Sequence, residues 1–135
     1  MISDGQLDGP EWRAGTYPSI GQKMLDGTIY AGISPDTGQT LCTTPRDERL
    51  IYTFKEALER ASNLEMRVPS ERELALLFQN RAFIGGFRED NGGNPSGYYW
   101  SREEDDSLGA WAQCIHDGSQ RIALKDENLS LRLVR

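Results

Sequence analysis

With 15 basic against 21 acidic residues in 135, the chain has a net charge of -6 and a pI near 4.8, the wrong sign for an electrostatic grip on phosphate backbones. A chain of this length buries about two-thirds of its unfolded surface, so one domain can fold without disulfides or metals. Its 37% hydrophobic and 27% charged residues suit a soluble globular protein, and its 14 glycines predict many turns and long polar loops.

Residues 1–24 hold Gly5, Gly9, Pro10, Gly15, Pro18 and Gly21 with little periodicity, which predicts an irregular arm packed on a domain spanning 25–135. Trp12 in that arm is a candidate to tuck over the core. The opening "MISDGQLDGPEW" has neither a basic n-region nor an apolar h-region, and no window is long enough to span a bilayer. No classical export signal and no membrane partner are therefore expected. The location this implies is cytoplasmic, or a virion or cell surface if the chain is phage-derived or leaves by a non-classical route.

"GTIYAGIS", Gly27 to Ser34, alternates as a strand, with Ile29, Ala31 and Ile33 on one side and Thr28 and Tyr30 on the other. "SPDTGQ" reads as a turn, and "TLCTT" as the return of a hairpin. "TFKEALERASNL" is the first helix: Thr53 and Glu56 are spaced as a capping box, and Phe54, Ala57, Leu58, Ala61 and Leu64 form the apolar stripe. In "MRVPSERELALLFQNR", Ser70 and Glu73 repeat the box behind Pro69, and Leu74, Leu77 and Phe78 make the buried stripe of the second helix.

"FREDNGGNPSG" is then a long polar loop and "YYWS" a short aromatic strand. "AWAQCIHDG" alternates with Trp111, Gln113 and Ile115 on one side; "HDGSQ" is a hairpin turn, "RIALK" its return, and "LSLRLVR" a closing strand with Leu129, Leu131 and Leu133 on one face. Alternation points Trp100 and Trp111 inward, which leaves Tyr99 facing outward as the aromatic suited to a ligand.

"RVPSERELALLF", "YYWSREE", "AWAQCIHDG" and the final "LRLVR", in that order, resemble the bacterial C-type-lectin-like family that includes the C-terminal domains of collagen-like adhesins and is distantly related to formylglycine-generating enzymes. The likeness extends upstream through "DGTIYAGISPDTG" and covers about Asp26 to Arg135. Met66 stands where the family usually has Trp, and Arg102 where a second Ser is common. The resemblance implies an α+β fold of C-type-lectin-like type: two helices flanking a small antiparallel sheet, first and last strands paired, and a long loop region on the side that relatives use for binding.

No enzyme is expected. Formylglycine chemistry needs a close cysteine pair, whereas Cys42 and Cys114 belong to different elements; whether they are reduced thiols or a bridge stays open. The single histidine, His116, sits at a turn, and there is no G-x-S-x-G elbow. Cofactors and metals are expected to be absent. Calcium is the one ion to weigh, because Glu89, Asp90, Asn91 and Asn94 offer oxygen ligands, but the spacing is no EF-hand and the tripeptides of calcium-dependent sugar binders are missing.

Between Glu89 and Asp106 six acids stand against one base, a local charge of -5. Such a run is either a solvated loop or a binding surface. The functional reading is a non-enzymatic recognition module that binds a protein with a basic patch, or a glycan, through the loops around residues 88–107. Its candidate binding residues are Glu89, Asp90, Asn91, Asn94, Tyr99, Arg102, Glu103, Glu104, Asp105 and Asp106. The alternative is a small acidic inhibitor or regulator, of phage or mobile-element type, that blocks a basic nucleic-acid-binding surface of a partner. Direct nucleic-acid binding is not expected, and nothing in the sequence bears on oligomeric state.

Overall fold

The computed structural model describes residues 17–88 and 97–135. Strands β1 (Ile29–Ile33) and β2 (Thr40–Thr43) form an antiparallel hairpin, followed by α1 (Phe54–Asn63), α2 (Glu71–Gln79) and the single turn α3 (Arg81–Ile84). Strands β3 (Tyr98–Glu104), β4 (Gly109–Cys114) and β5 (Gln120–Leu124) follow as an antiparallel meander. The fold is thus mixed, with three helices and two small antiparallel sheets. Among the described residues no helix is long and apolar enough to cross a membrane.

Both capping boxes form. Thr53 and Ser70 each accept from the N–H three residues on, and Glu56 and Glu73 reach back to the cap N–H. On α1 the buried positions are Phe54, Ala57 and Ala61, whereas Leu58 and Leu64, expected in the stripe, are exposed. The two alanines let the helix lie close to the three-stranded sheet, where Phe54 meets Trp100 edge to face at 5.4 Å. Long side chains flanking that narrow seam are left at its rim. α2 buries Leu74 and Leu77 in a second cluster with Ile29, Leu41, Tyr99 and Val134.

The two helices therefore cover opposite faces of the three-stranded sheet, and this overturns the expected orientation of its aromatics. Trp100 and Tyr99 are adjacent, point to opposite faces, and are both fully buried, one in each cluster. Trp111, expected inward, is only half-buried, and its neighbour Ala112, paired with Trp100, takes the position against α1. Strict one-sided alternation fails because a sheet covered on both faces buries both sets of positions.

Two further expectations are corrected at the hairpin and the C-terminus. Ala31 is an extra residue in the β1–β2 register, a bulge that shifts the alternation and leaves Ile33 exposed. Residues 129–135 pair with β2 and the segment after it, not with β1. Cys42 and Arg135 exchange two backbone bonds, as do Tyr52 and Leu129, while Thr44 N–H and Glu48 N–H donate to Leu133 O and Leu131 O. On its other edge the segment bonds β3, through Ser130 with Tyr98 and Trp100, and the pair Arg67 and Val134. It stitches the two sheets together. Leu129, Leu131 and Leu133 enter one cluster and Val134 the other, each burial contributing about 1.5–3 kcal/mol.

Residues 21–24, expected within an irregular arm, run alongside β1: Gly21 N–H donates to Tyr30 O, Tyr30 N–H to Gln22 O and Met24 N–H to Thr28 O. Trp12 lies outside the described residues.

Candidate recognition surface

Arg132 has no exposed side-chain surface, and its partner Asp47 is almost as enclosed. Arg132 donates Nε and Nη2 to Thr44 O at 2.9 and 2.6 Å, Nη2 also to Gly85 O at 2.9 Å, and Nη1 to Asp47 at 3.2 Å, beneath the Phe87 ring at 4.1 Å. Asp47 also accepts from the Tyr99 hydroxyl and from Arg88 N–H at 2.8 Å. Burial raises the Asp47 carboxyl and lowers the Arg132 guanidinium, each opposed by the other's charge. Burial, and then the neighbouring Asp47 carboxylate, drives the Tyr99 phenol far up, so it stays a hydrogen-bond donor. Tyr99 is thus a core strut. Its assignment as an outward ligand contact fails, because β3 is buried on that face.

This network fixes a loop stem. The Arg88 guanidinium donates to Glu48 O at 2.8 Å and to Arg49 O, so residue 88 is held through both its N–H and its side chain. Gly97 O accepts from Ile115 N–H at 3.1 Å. The predicted site residues Glu89, Asp90, Asn91 and Asn94, and with them the calcium question, lie outside the described residues.

A second buried network holds the start of α2. Glu73, with no exposed surface, takes a bidentate pair from Arg67 at 2.6 and 2.8 Å, a bond from Ser34 Oγ at 2.7 Å and one from Ser70 N–H at 3.0 Å. Burial alone would raise its carboxyl; the bonds from Arg67, Ser34 and Ser70 outweigh it and bring it down to about 2. Ser70 Oγ in turn donates to Asp36, which also faces Arg72 and Arg102 at 3.6 and 3.9 Å.

The β3–β4 turn grows directly from this base, since Arg102 N–H donates to Pro69 O at 2.9 Å. The acids in it divide by role. Asp106 is a turn strut: its Oδ1 accepts from Leu108 N–H and Gly109 N–H at 2.8 and 2.9 Å. Glu104 pairs with Lys125 at 2.5 Å. The Glu103 and Asp105 carboxylates make no hydrogen bond or ion pair among the described residues, and Asp105 is exposed while Glu103 is half-buried. Burial, and then repulsion from Glu103, raises the carboxyl of Glu71, so the acidic surface continues onto the first turn of α2. Sequence reasoning missed Glu71, which stands 32 positions from Glu103 and reads locally as a helix-start acid.

A groove of about 560 Å³ adjoins the Arg88 stem, lined by Gln79, Arg81, Phe87, Arg88, Ile115 and His116 among others. Cys42 and Cys114 are reduced and buried in separate sheets, and burial pushes the Cys42 thiol up, away from the reactive thiolate. Among the described residues no His, Cys, Asp and Glu side chains group as a metal site. Compared with known protein families and with curated proteins, the sequence matches none.

Proposed function

We propose that this chain is a non-enzymatic recognition module on a C-type-lectin-like scaffold, and that it binds a protein with a basic surface through the acidic β3–β4 turn and the adjoining first turn of α2. The carrying observation is the division of labour among the charges. Asp47, Glu73, Arg67 and Arg132 are consumed in buried networks that rigidify the stems at Arg88 and Arg102, while the carboxylates of Glu103 and Asp105 are left without a partner among the described residues. Rigid elements presenting unpaired charge suit recognition, and the acids would speed encounter with a basic partner more than they add affinity. Element order supports the lectin-like reading: a hairpin, two long helices, a meander and a closing segment that returns to the hairpin.

The test is capture from lysate of the native host by the wild-type chain and by a Glu103→Ser, Glu104→Ser, Asp105→Ser variant that keeps Asp106 for the turn. A partner captured by the first and lost by the second, with the variant's thermal midpoint unchanged, supports the reading. A partner held equally by both contradicts it.

A further inference from the structure

One half of a sheet face is left open beside α2. That helix packs over Tyr99 of β3, whereas the β4–β5 side of the same face carries Trp111 paired with Ile122 and Gly109 paired with Leu124. Ile122 is 43% and Leu124 56% exposed, so an apolar strip on a hydrogen-bonded ladder meets solvent. Its side chains are set in place. A methyl group at Gly109 would stand 2.6 Å from Ile122 Cγ2, so Ile122 lies over the bare Gly109 backbone, next to Trp111.

The charges that border this strip are acidic. Trp100 pairs with Ala112 and Glu104 with Ala110, so residues 101–103 stand opposite Trp111. Glu104 holds Lys125 on the α1 side, and its neighbour Glu103 therefore projects to the open face, where it repels Glu71 of α2. The nearby bases are turned away. Arg121 and Lys125 lie over the Tyr98 and Phe54 rings, at 4.5 and 5.3 Å, and Arg72 and Arg102 face Asp36.

Charge and geometry together select what covers the strip. A second copy would set Glu71 and Glu103 against their own images across a two-fold axis. Of the chain's remaining segments, residues 1–16 hold Asp4, Asp8 and Glu11 against Arg13, and residues 89–96 hold Glu89 and Asp90 with no base. Each brings acid to acid. Strand addition is opposed at the β5 edge, where Leu124 N–H donates to Glu127 Oε2 at 2.8 Å and Leu124 O accepts from Glu127 N–H at 3.0 Å. A helix fits. Strands lie about 4.8 Å apart and packed helices about 8–10 Å, so a helix laid beside α2 falls about two strands over, on this strip. We infer that the open half of the sheet docks an amphipathic helix of a partner protein, its apolar stripe on Trp111, Ile122 and Leu124 and its Lys or Arg flank against Glu71 and Glu103. The basic flank rests on the acidic-turn reading above; the apolar stripe and the helical form go beyond it.

The test is a two-dimensional amide NMR titration of the full chain with a synthetic leucine and lysine peptide patterned as an amphipathic helix. Two control peptides replace every leucine by serine or every lysine by glutamate. The first peptide should bind saturably, with shifts at residues 109–111, 122–124 and the first turn of α2, and each control at least about tenfold more weakly. Leu124→Ser and Ile122→Thr, both at exposed positions, should each weaken binding about tenfold, and Glu103→Ser about threefold, with thermal midpoints unchanged. Weakening by Glu103→Ser alone overturns the inference and leaves the acidic-turn reading standing. Weakening by the two apolar variants alone overturns that reading and the basic flank with it. No weakening by any variant, or no saturable binding, overturns the inference. So does exchange protection gained at the Gln120 and Ile122 N–H groups, which would mean strand addition, or concentration-dependent shifts at residues 111, 122 and 124 without peptide, which would make the strip a face between copies.

Discussion

Asp47 and Tyr99 lie 52 positions apart, yet the Tyr99 hydroxyl donates to the Asp47 carboxylate inside a pocket that also encloses the Arg132 guanidinium. A loop acid, a strand phenol and a C-terminal arginine thereby form one buried unit, and Arg88 N–H joins it from the loop stem. Removing one member of the ion pair leaves the other buried and uncompensated. Asp47→Ala and Arg132→Met should each destabilise by about 3–5 kcal/mol, and the double variant by clearly less than their sum, measured by urea unfolding. Strict additivity would mean that the two charges do not act together.

Glu73 sets an acid limit. Its folded pKa of about 2 lies below the ordinary 4.5, so its stabilisation is present above about pH 4.5 and is lost as pH falls towards 2, a loss of about 3 kcal/mol. Asp47, raised by burial, works in the opposite sense, so the comparison must be with Glu73→Gln. Urea midpoints of the wild type should fall between pH 4.5 and 2 more steeply than those of Glu73→Gln. Parallel curves would remove Glu73 as the cause.

At Gly86 a methyl group would stand 2.1 Å from Pro45 O, and the backbone φ is +77°. Gly38 has a similar φ of +73° with nothing near its missing Cβ. Gly38→Ala should therefore cost about 1 kcal/mol from backbone strain alone, and Gly86→Ala at least about 2 kcal/mol more, read from thermal unfolding. Equal costs would mean that the Pro45 loop yields freely.

The caps offer a contrast between two identical motifs. Ser70 is buried and its hydroxyl also donates to Asp36, whereas the Thr53 box is exposed to solvent. Thr53→Ala should cost about 1 kcal/mol and Ser70→Ala nearer 2 kcal/mol or above, in the same urea measurement. A reversed order would show that the Asp36 bond contributes nothing.

What could be read from the sequence was local. Both capping boxes, the β1–β2 hairpin and the turn at Asp117–Gly118 follow from spacing within a few residues. Signals of that range said nothing of what covers each face of a sheet. Alternation with an inward Trp100 predicts an outward Tyr99, but α2 packs on the face that alternation alone would leave to solvent. Nothing local in "TPRDERL" marks Asp47, since its partners come from residues 88, 99 and 132. Asp106 looked like one acid among four, and only the turn geometry separates it as a strut from Glu103 and Asp105.

The central claim, that a rigid core presents the acidic turn to a partner, is tested most directly by amide hydrogen exchange on the chain alone and bound to the captured protein. Residues 102–107 and the first turn of α2 should gain protection on binding, while residues 129–135 are already protected and unchanged. Protection gained elsewhere, with none at 102–107, would contradict the account.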